Sequence, residues 1–131
     1  MWHLDSDVVI AYLRGDRTVA AELVARLPEV GISSLVLAEL MYGARVSARA
    51  SENLERLREF VRIVDVVNFG QASADQYSRL RLALRQKGRP TGEIDALVAA
   101  VALADRATLV THNTKHYENI EELLLEDWLA Q

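Results

Sequence analysis

Short β-rich runs alternate with longer amphipathic ones along this chain, and that alternation restricts the folds open to it. Trp2 to Asp5, Val30 to Ser33, Ile63 to Val67, Thr108 to Thr111 and Leu123 to Leu125 are apolar or β-branched and too short for stable helices. The runs between them have helical spacing. The first helix is expected from Val8 to Arg14, capped by Asp7 and broken at Gly15. The second runs from Asp16 to Leu27, with Val19, Leu23, Val24 and Leu27 on its apolar side and Pro28 ending it. Further helices are expected over 35–46, 52–62, 70–87 and 93–106. In the fourth of these six helices Leu54, Leu57, Phe60 and Val61 face inward. In the long fifth, Ala74, Tyr77, Leu80 and Leu84 do so, and Gly88 stops it. A loop follows over 89–92, and 112–120 is polar and partly helical. Strands that alternate with helices imply a mostly parallel sheet of four to five strands with helices on both faces, an α/β/α sandwich. The right-handed crossover rule leaves few topologies.

With 131 residues the chain is expected to form one domain spanning 1–131. A domain of that size buries roughly two-thirds of its unfolded surface, so it needs no staple. It has no cysteine. Disulfides, thiolate metal sites and a cysteine nucleophile are therefore excluded, and a reducing cytoplasmic location is expected. No signal peptide and no apolar run of about 18 residues is seen, so no membrane partner is expected.

The chemistry points to carboxylates. Asp5 ends the first strand, where open α/β folds bind ligands. Asp7 or Ser6 can cap the following helix, but capping does not account for Asp5. Glu39 stands inside Leu35-Val36-Leu37-Ala38-Glu39-Leu40-Met41, and Asp95 inside Ile94-Asp95-Ala96-Leu97-Val98. A carboxylate in such surroundings is costly to bury unless it is paired or binds a cation. The exposed side of a helix is an equal alternative for Glu39. Glu93 and Asp95 are also first-turn acids that complement the helix dipole. Carboxylates sharing one crevice repel each other unless a divalent cation lies between them, and all-oxygen ligands suit Mg²⁺ or Mn²⁺. Such a site can activate water for attack on a phosphoryl group.

The net charge is −4, which gives no whole-protein nucleic-acid footprint. Locally, Arg79, Arg81, Arg85, Lys87 and Arg89 form a basic stretch with no acid among them. It is either a solvated helix face or a phosphate contact. His3 sits in the first strand, as packing or at an edge. His112 and His116 are spaced to share a helix face, but no zinc pattern accompanies them. Ser6, Ser33 and Ser34 have no His/Asp partner at a credible spacing, and the glycines form no phosphate loop.

Four segments taken together resemble the PIN-domain family, and more narrowly the VapC toxins of bacterial toxin–antitoxin pairs. They are Leu4-Asp5-Ser6-Asp7, then Ile32 through Gly43, then Gly92 through Ala100, then Leu109-Val110-Thr111-His112-Asn113. The ending Leu125-Glu126-Asp127-Trp128 is similar to these toxins as well. The resemblance implies an α/β/α fold and a Mg²⁺- or Mn²⁺-dependent endoribonuclease. Asp5, Glu39 and Asp95 match the family's metal-binding acids. Asn113 matches a fourth catalytic position that is Asp in many members. Asp7 stands where the family usually has Asn, which adds a negative charge, and Glu93 could offset the neutral Asn113. A homodimer and a small inhibiting antitoxin are implied as partners.

The leading expectation is therefore the toxin ribonuclease. Asp5, Glu39 and Asp95 hold metal. Asn113, Asp7 or Glu93 orients water or a further ion. Arg79, Arg81, Arg85, Lys87 and Arg89 contact RNA. Two other readings stand beside it. Asp5-x-Asp7 after an apolar strand resembles haloacid-dehalogenase-type phosphatases, although no late acidic pair follows. A PIN-fold interaction module without catalysis would suit the neutral Asn113.

Overall fold

The computed structural model describes residues 1–89 and 91–129; Pro90, within the expected 89–92 loop, lies outside them. Five strands pair into one all-parallel sheet: β1 (Trp2–Leu4), β2 (Val30–Ser33), β3 (Asp65–Val67), β4 (Thr108–Val110) and β5 (Leu125–Glu126). Their spatial order is β3-β2-β1-β4-β5. Trp2 of β1 lies beside Val30 on one side and Thr108 on the other. The first strand is thus the central one. The chain leaves it toward β2 and later returns to its other flank as β4, which opens a crevice at the carboxyl ends of the strands.

Helices α1 (Ser6–Leu13) and α2 (Arg17–Arg26) join β1 to β2. The next pair, α3 (Ser34–Arg45) and α4 (Ala50–Val61), joins β2 to β3, and α5 (Gln71–Lys87) and α6 (Glu93–Ala104) join β3 to β4. The early crossovers step one way along the sheet and the last steps back. With right-handed connections, helices therefore cover both faces, giving the α/β/α sandwich expected from the sequence.

The α6 helix is buried from Val98 to Ala102 as well as at Ala96. Four of those residues are alanines, whose small side chains let the backbone lie close to the sheet and to α5. Leu4, Val8, Ile32, Val36, Leu109 and Tyr117 belong to one core that joins the sheet to its helices. The helix ends follow local chemistry. Asp16 accepts the Val19 N–H at 3.0 Å to start α2. Gly88, at φ 66°, takes the left-handed conformation that closes α5.

Several expectations change. The cap of α1 is Asp5, not Asp7. Strand pairing stops at Leu4 and helix geometry begins at Ser6, so no separate turn intervenes. The third strand starts at Asp65 rather than Ile63, and the last pairs through Leu125–Glu126. Val24 is 71% exposed, because the buried stripe of α2 is narrower than its apolar pattern. Ala74 is exposed and Ser73 takes the inward place on α5. His3 is not at an edge: it is buried in the central strand, its Nε2 2.7 Å from Asp105. Among the described residues no helix is long and apolar enough to cross a membrane.

Ser33 is buried at the end of β2, and its Oγ accepts the Val36 N–H at 3.1 Å to cap α3, the helix that carries Glu39. Ser33→Ala should cost about 1 kcal/mol of stability. The check is a lower urea midpoint with an unchanged m-value.

Candidate active site

Three of the proposed acids are delivered to the crevice by three separate elements. Asp5 follows β1 directly, Glu39 sits in the middle of α3 and Asp95 lies in the first turn of α6. Asp5 is the most firmly held. It is 8% exposed. Its Oδ1 accepts the Ser6 N–H at 2.9 Å, while Oδ2 accepts both the Thr111 hydroxyl at 3.0 Å and the Tyr117 hydroxyl at 2.9 Å. Capping, which the sequence assigned to Asp7 or Ser6 and not to Asp5, is thus carried out by Asp5 itself.

The Tyr117 hydroxyl also reaches Oδ1 of Asp95 at 3.2 Å. A single buried hydroxyl therefore spans carboxylates that are 90 positions apart in the chain. Burial, then the charges of Asp5 and Asp95, push its pKa strongly upward, so it stays protonated and serves as a donor. On its other oxygen Asp95 meets Nδ1 of His116 at 3.3 Å. Tyr117 and Thr111 are contacts to these acids that sequence reasoning did not assign. The available signal was a tyrosine inside a polar stretch, in a place where phenylalanine would pack as well.

Glu39 is exposed, yet partial burial and then the charges of Asp5 and Asp95 raise its pKa. The three acids therefore feel one another across the crevice. Among the described residues no three acid or histidine side chains already converge as a ligating set. The donors present are nonetheless all carboxylate oxygens, the kind that hard divalent cations take. Their mutual repulsion is what such a cation relieves. The residues fit the ion in the chemistry of their donors, with Glu39 the most exposed of the three.

Asp7 has a different task. Its Oδ1 accepts the Val8 N–H at 2.8 Å, and its Oδ2 accepts the His112 N–H at 2.9 Å. Burial, and next the charge of Asp5, raise its pKa, opposed by N–H groups of His112, Val8 and Asn113. It ties the loop after β4 to the start of α1. Asn113 is exposed in that loop, its own N–H bonded to the Thr111 hydroxyl at 3.2 Å. Glu93 is exposed at the start of α6. The two later histidines do not share a helix face, because only Thr114–His116 is helical, a single 3₁₀ turn. His112 instead meets Asp127 at 3.0 Å.

The basic stretch divides. Arg79 pairs with Asp75, Arg81 lies over the Tyr77 ring and Lys87 pairs with Glu121. Arg81, Arg85 and Arg89 line one open depression with Thr91. Arg89 stands six residues before Asp95 in the sequence.

The family model described as PIN domain matches residues 3–122. Ribonuclease VapC2 of Rickettsia felis is 40% identical over 107 residues, covering 82% of this chain and 80% of that protein. The tRNA(fMet)-specific endonuclease VapC of Shigella flexneri is 37% identical over 97 residues, 74% of each chain. In three dimensions the chain resembles the crystal structure of VapBC2 from Rickettsia felis bound to a DNA fragment from their promoter. The TM-score is 0.89 at 34% identity, covering 97% of this chain and 98% of that one.

The raised pKa of Glu39 sets a pH signature for the metal-free protein. A carboxyl whose folded pKa exceeds its unfolded one costs stability above the folded value, and that cost vanishes as pH falls below the unfolded one. In chelator, Glu39→Gln should therefore raise the unfolding midpoint at pH 7, with the gain fading toward pH 4. Because the side chain is exposed, the gain should be only a few tenths of a kcal/mol. Thermal unfolding across that range measures it.

Proposed function

The chain belongs to the PIN domain family, and we propose on that footing that it is a metal-dependent endoribonuclease, the toxin of a toxin–antitoxin pair. The observation that carries the catalytic reading is the placement of Asp5 and Asp95 on one hydroxyl, with Glu39 repelled by both. Asp5, Glu39 and Asp95 would hold Mg²⁺ or Mn²⁺. When bound, such an ion neutralises phosphodiester charge and makes a water nucleophilic near neutral pH.

The remaining work falls to the chain itself. Asp5 and Asp95 present oxygens whose directions are fixed by Thr111, Tyr117, Ser6 and His116. Glu39, exposed on α3, would supply the third carboxylate. Asp7 holds the His112–Asn113 backbone, so the Asn113 amide is steadied at the rim, where it orients water or the scissile phosphate. Glu93, exposed in the first turn of α6, would be the acid available for a further cation. Arg81, Arg85 and Arg89 bind the RNA backbone, while Arg79 and Lys87 are engaged by acids on the protein and contribute less. Phosphate contacts position the strand, and accessible bases of single-stranded or looped RNA specify it.

A phosphatase is the weaker reading. It needs a free general acid two residues after Asp5, and both Asp7 oxygens are occupied by backbone N–H groups. A non-catalytic module is weaker too, since it gives no reason to keep repelling acids together. A small antitoxin and a second copy of the chain are the proposed protein partners; the relative from Rickettsia felis was solved as a toxin–antitoxin complex on promoter DNA.

Asp95→Asn should abolish cleavage of RNA while circular dichroism and the unfolding midpoint stay near wild type; cutting at the wild-type rate would end the assignment. Alanine at both Arg85 and Arg89 should weaken RNA binding and flatten its salt dependence. The slope of log K against log salt should fall by about 0.7 for each phosphate that the variant no longer neutralises. Binding titrations at several salt concentrations read this directly.

A further inference from the structure

We propose that Tyr117 is the positioning residue of this site, its hydroxyl fixing the Asp5 and Asp95 carboxylates relative to each other so that a divalent cation meets them already aligned. The inference rests on the metal-dependent reading above and goes beyond it by assigning a group that is not itself a ligand.

Three observations carry it. First, the hydroxyl lies 2.9 Å from Oδ2 of Asp5 and 3.2 Å from Oδ1 of Asp95. The two oxygens can therefore stand no more than about 6 Å apart, the combined length of the two contacts. Asp5 comes from the central strand and Asp95 from a helix packed over the sheet. Nothing in the backbone pairing of those elements sets the distance between the two side chains. Second, the Tyr117 ring is wholly buried in the main core, so its hydroxyl cannot swing away. The 3₁₀ turn before it (Thr114–His116) and the Ile120 N–H to Tyr117 carbonyl bond at 3.0 Å after it hold its backbone. Third, the other donors are already distributed without it. Ser6 N–H serves Oδ1 of Asp5, Thr111 serves Oδ2 of Asp5 and His116 meets Oδ2 of Asp95. Each of these touches one acid only, whereas Tyr117 touches both. A ring required only for packing would be as good without the oxygen, and better, since a buried hydroxyl must find partners.

Hydrogen-bond partners of ligating carboxylates set how well the ligands are aimed, and removing one typically costs ten- to a hundred-fold in metal affinity. Tyr117→Phe keeps the ring and deletes only the oxygen. Mn²⁺ titrated calorimetrically into metal-stripped protein should bind Tyr117→Phe about tenfold more weakly than wild type. RNA cleavage by the variant should recover toward the wild-type rate as Mn²⁺ is raised. A merely structural role would lower the unfolding midpoint and leave the metal dependence of cleavage where it was. Equal Mn²⁺ affinity in the two proteins overturns the proposal. Wild-type protein that takes up no Mn²⁺ overturns the metal reading and the proposal with it, and Asp95→Asn serves as the reference for abolished binding. If Tyr117→Phe does not fold, the wild-type protein decides. The Tyr117 hydroxyl proton should give a slowly exchanging proton resonance that persists at saturating Mg²⁺, and its disappearance on Mg²⁺ addition counts against the bridge.

Discussion

Like charges crowded into one small crevice are the constraint on which the rest of this structure turns. Asp5, Asp7, Glu39 and Asp95 are brought toward the carboxyl end of the central strand, and the pKa of Asp7 and Glu39 is driven upward there by burial and by their acidic neighbours. A fold can tolerate such a cluster only if donors surround it. Here they come from backbone N–H groups at the start of α1, from the loop after β4 and from the Thr111 and Tyr117 hydroxyls. That loop does much of the holding. Within seven residues, Thr111 to Tyr117, it supplies a contact to Asp5, to Asp7 and to Asp95.

The strand order explains why one loop can reach so many partners. Because β4 lies directly beside β1, the residues that follow β4 emerge next to those that follow β1. The Thr111 hydroxyl and the His112 N–H therefore meet Asp5 and Asp7 without any long excursion. The α6 helix, which delivers Asp95, is held against the sheet by its alanine-rich buried run. The basic last turn of α5, with Arg85 and Lys87, and the acidic first turn of α6, with Glu93 and Asp95, follow one another along the chain.

Much of this was legible in the chain. Asp5 stood out because it ends the first strand and Asp95 because of its apolar neighbours, but for Glu39 the cost of burial gave no reliable signal, since that side chain lies on the exposed side of α3. The strand–helix alternation gave the layered architecture. Other parts were not legible. Asp7 reads as a cap because caps are recognised by type and position, yet strand and helix join without a turn and Asp5 occupies the capping place. The histidine spacing suggested a shared face only on the assumption of a continuous helix, which a single 3₁₀ turn does not supply. Val24 and Ala74 fit a periodic apolar pattern whose width the packed neighbours, not the helix itself, decide.

The sequence by itself determined the alternating parallel architecture and singled out the candidate ligands, since periodicity and the cost of buried charge are local properties of the chain. Only the tertiary structure decided how those acids are held. Tyr117 is 112 residues from Asp5 and 22 from Asp95, and its oxygen acquires a role only when β4 is set beside β1 and α6 is packed over them. Hydrogen bonds between side chains depend on distances of a few ångströms, and distances between remote segments are fixed by the sheet order and the core rather than by any local pattern.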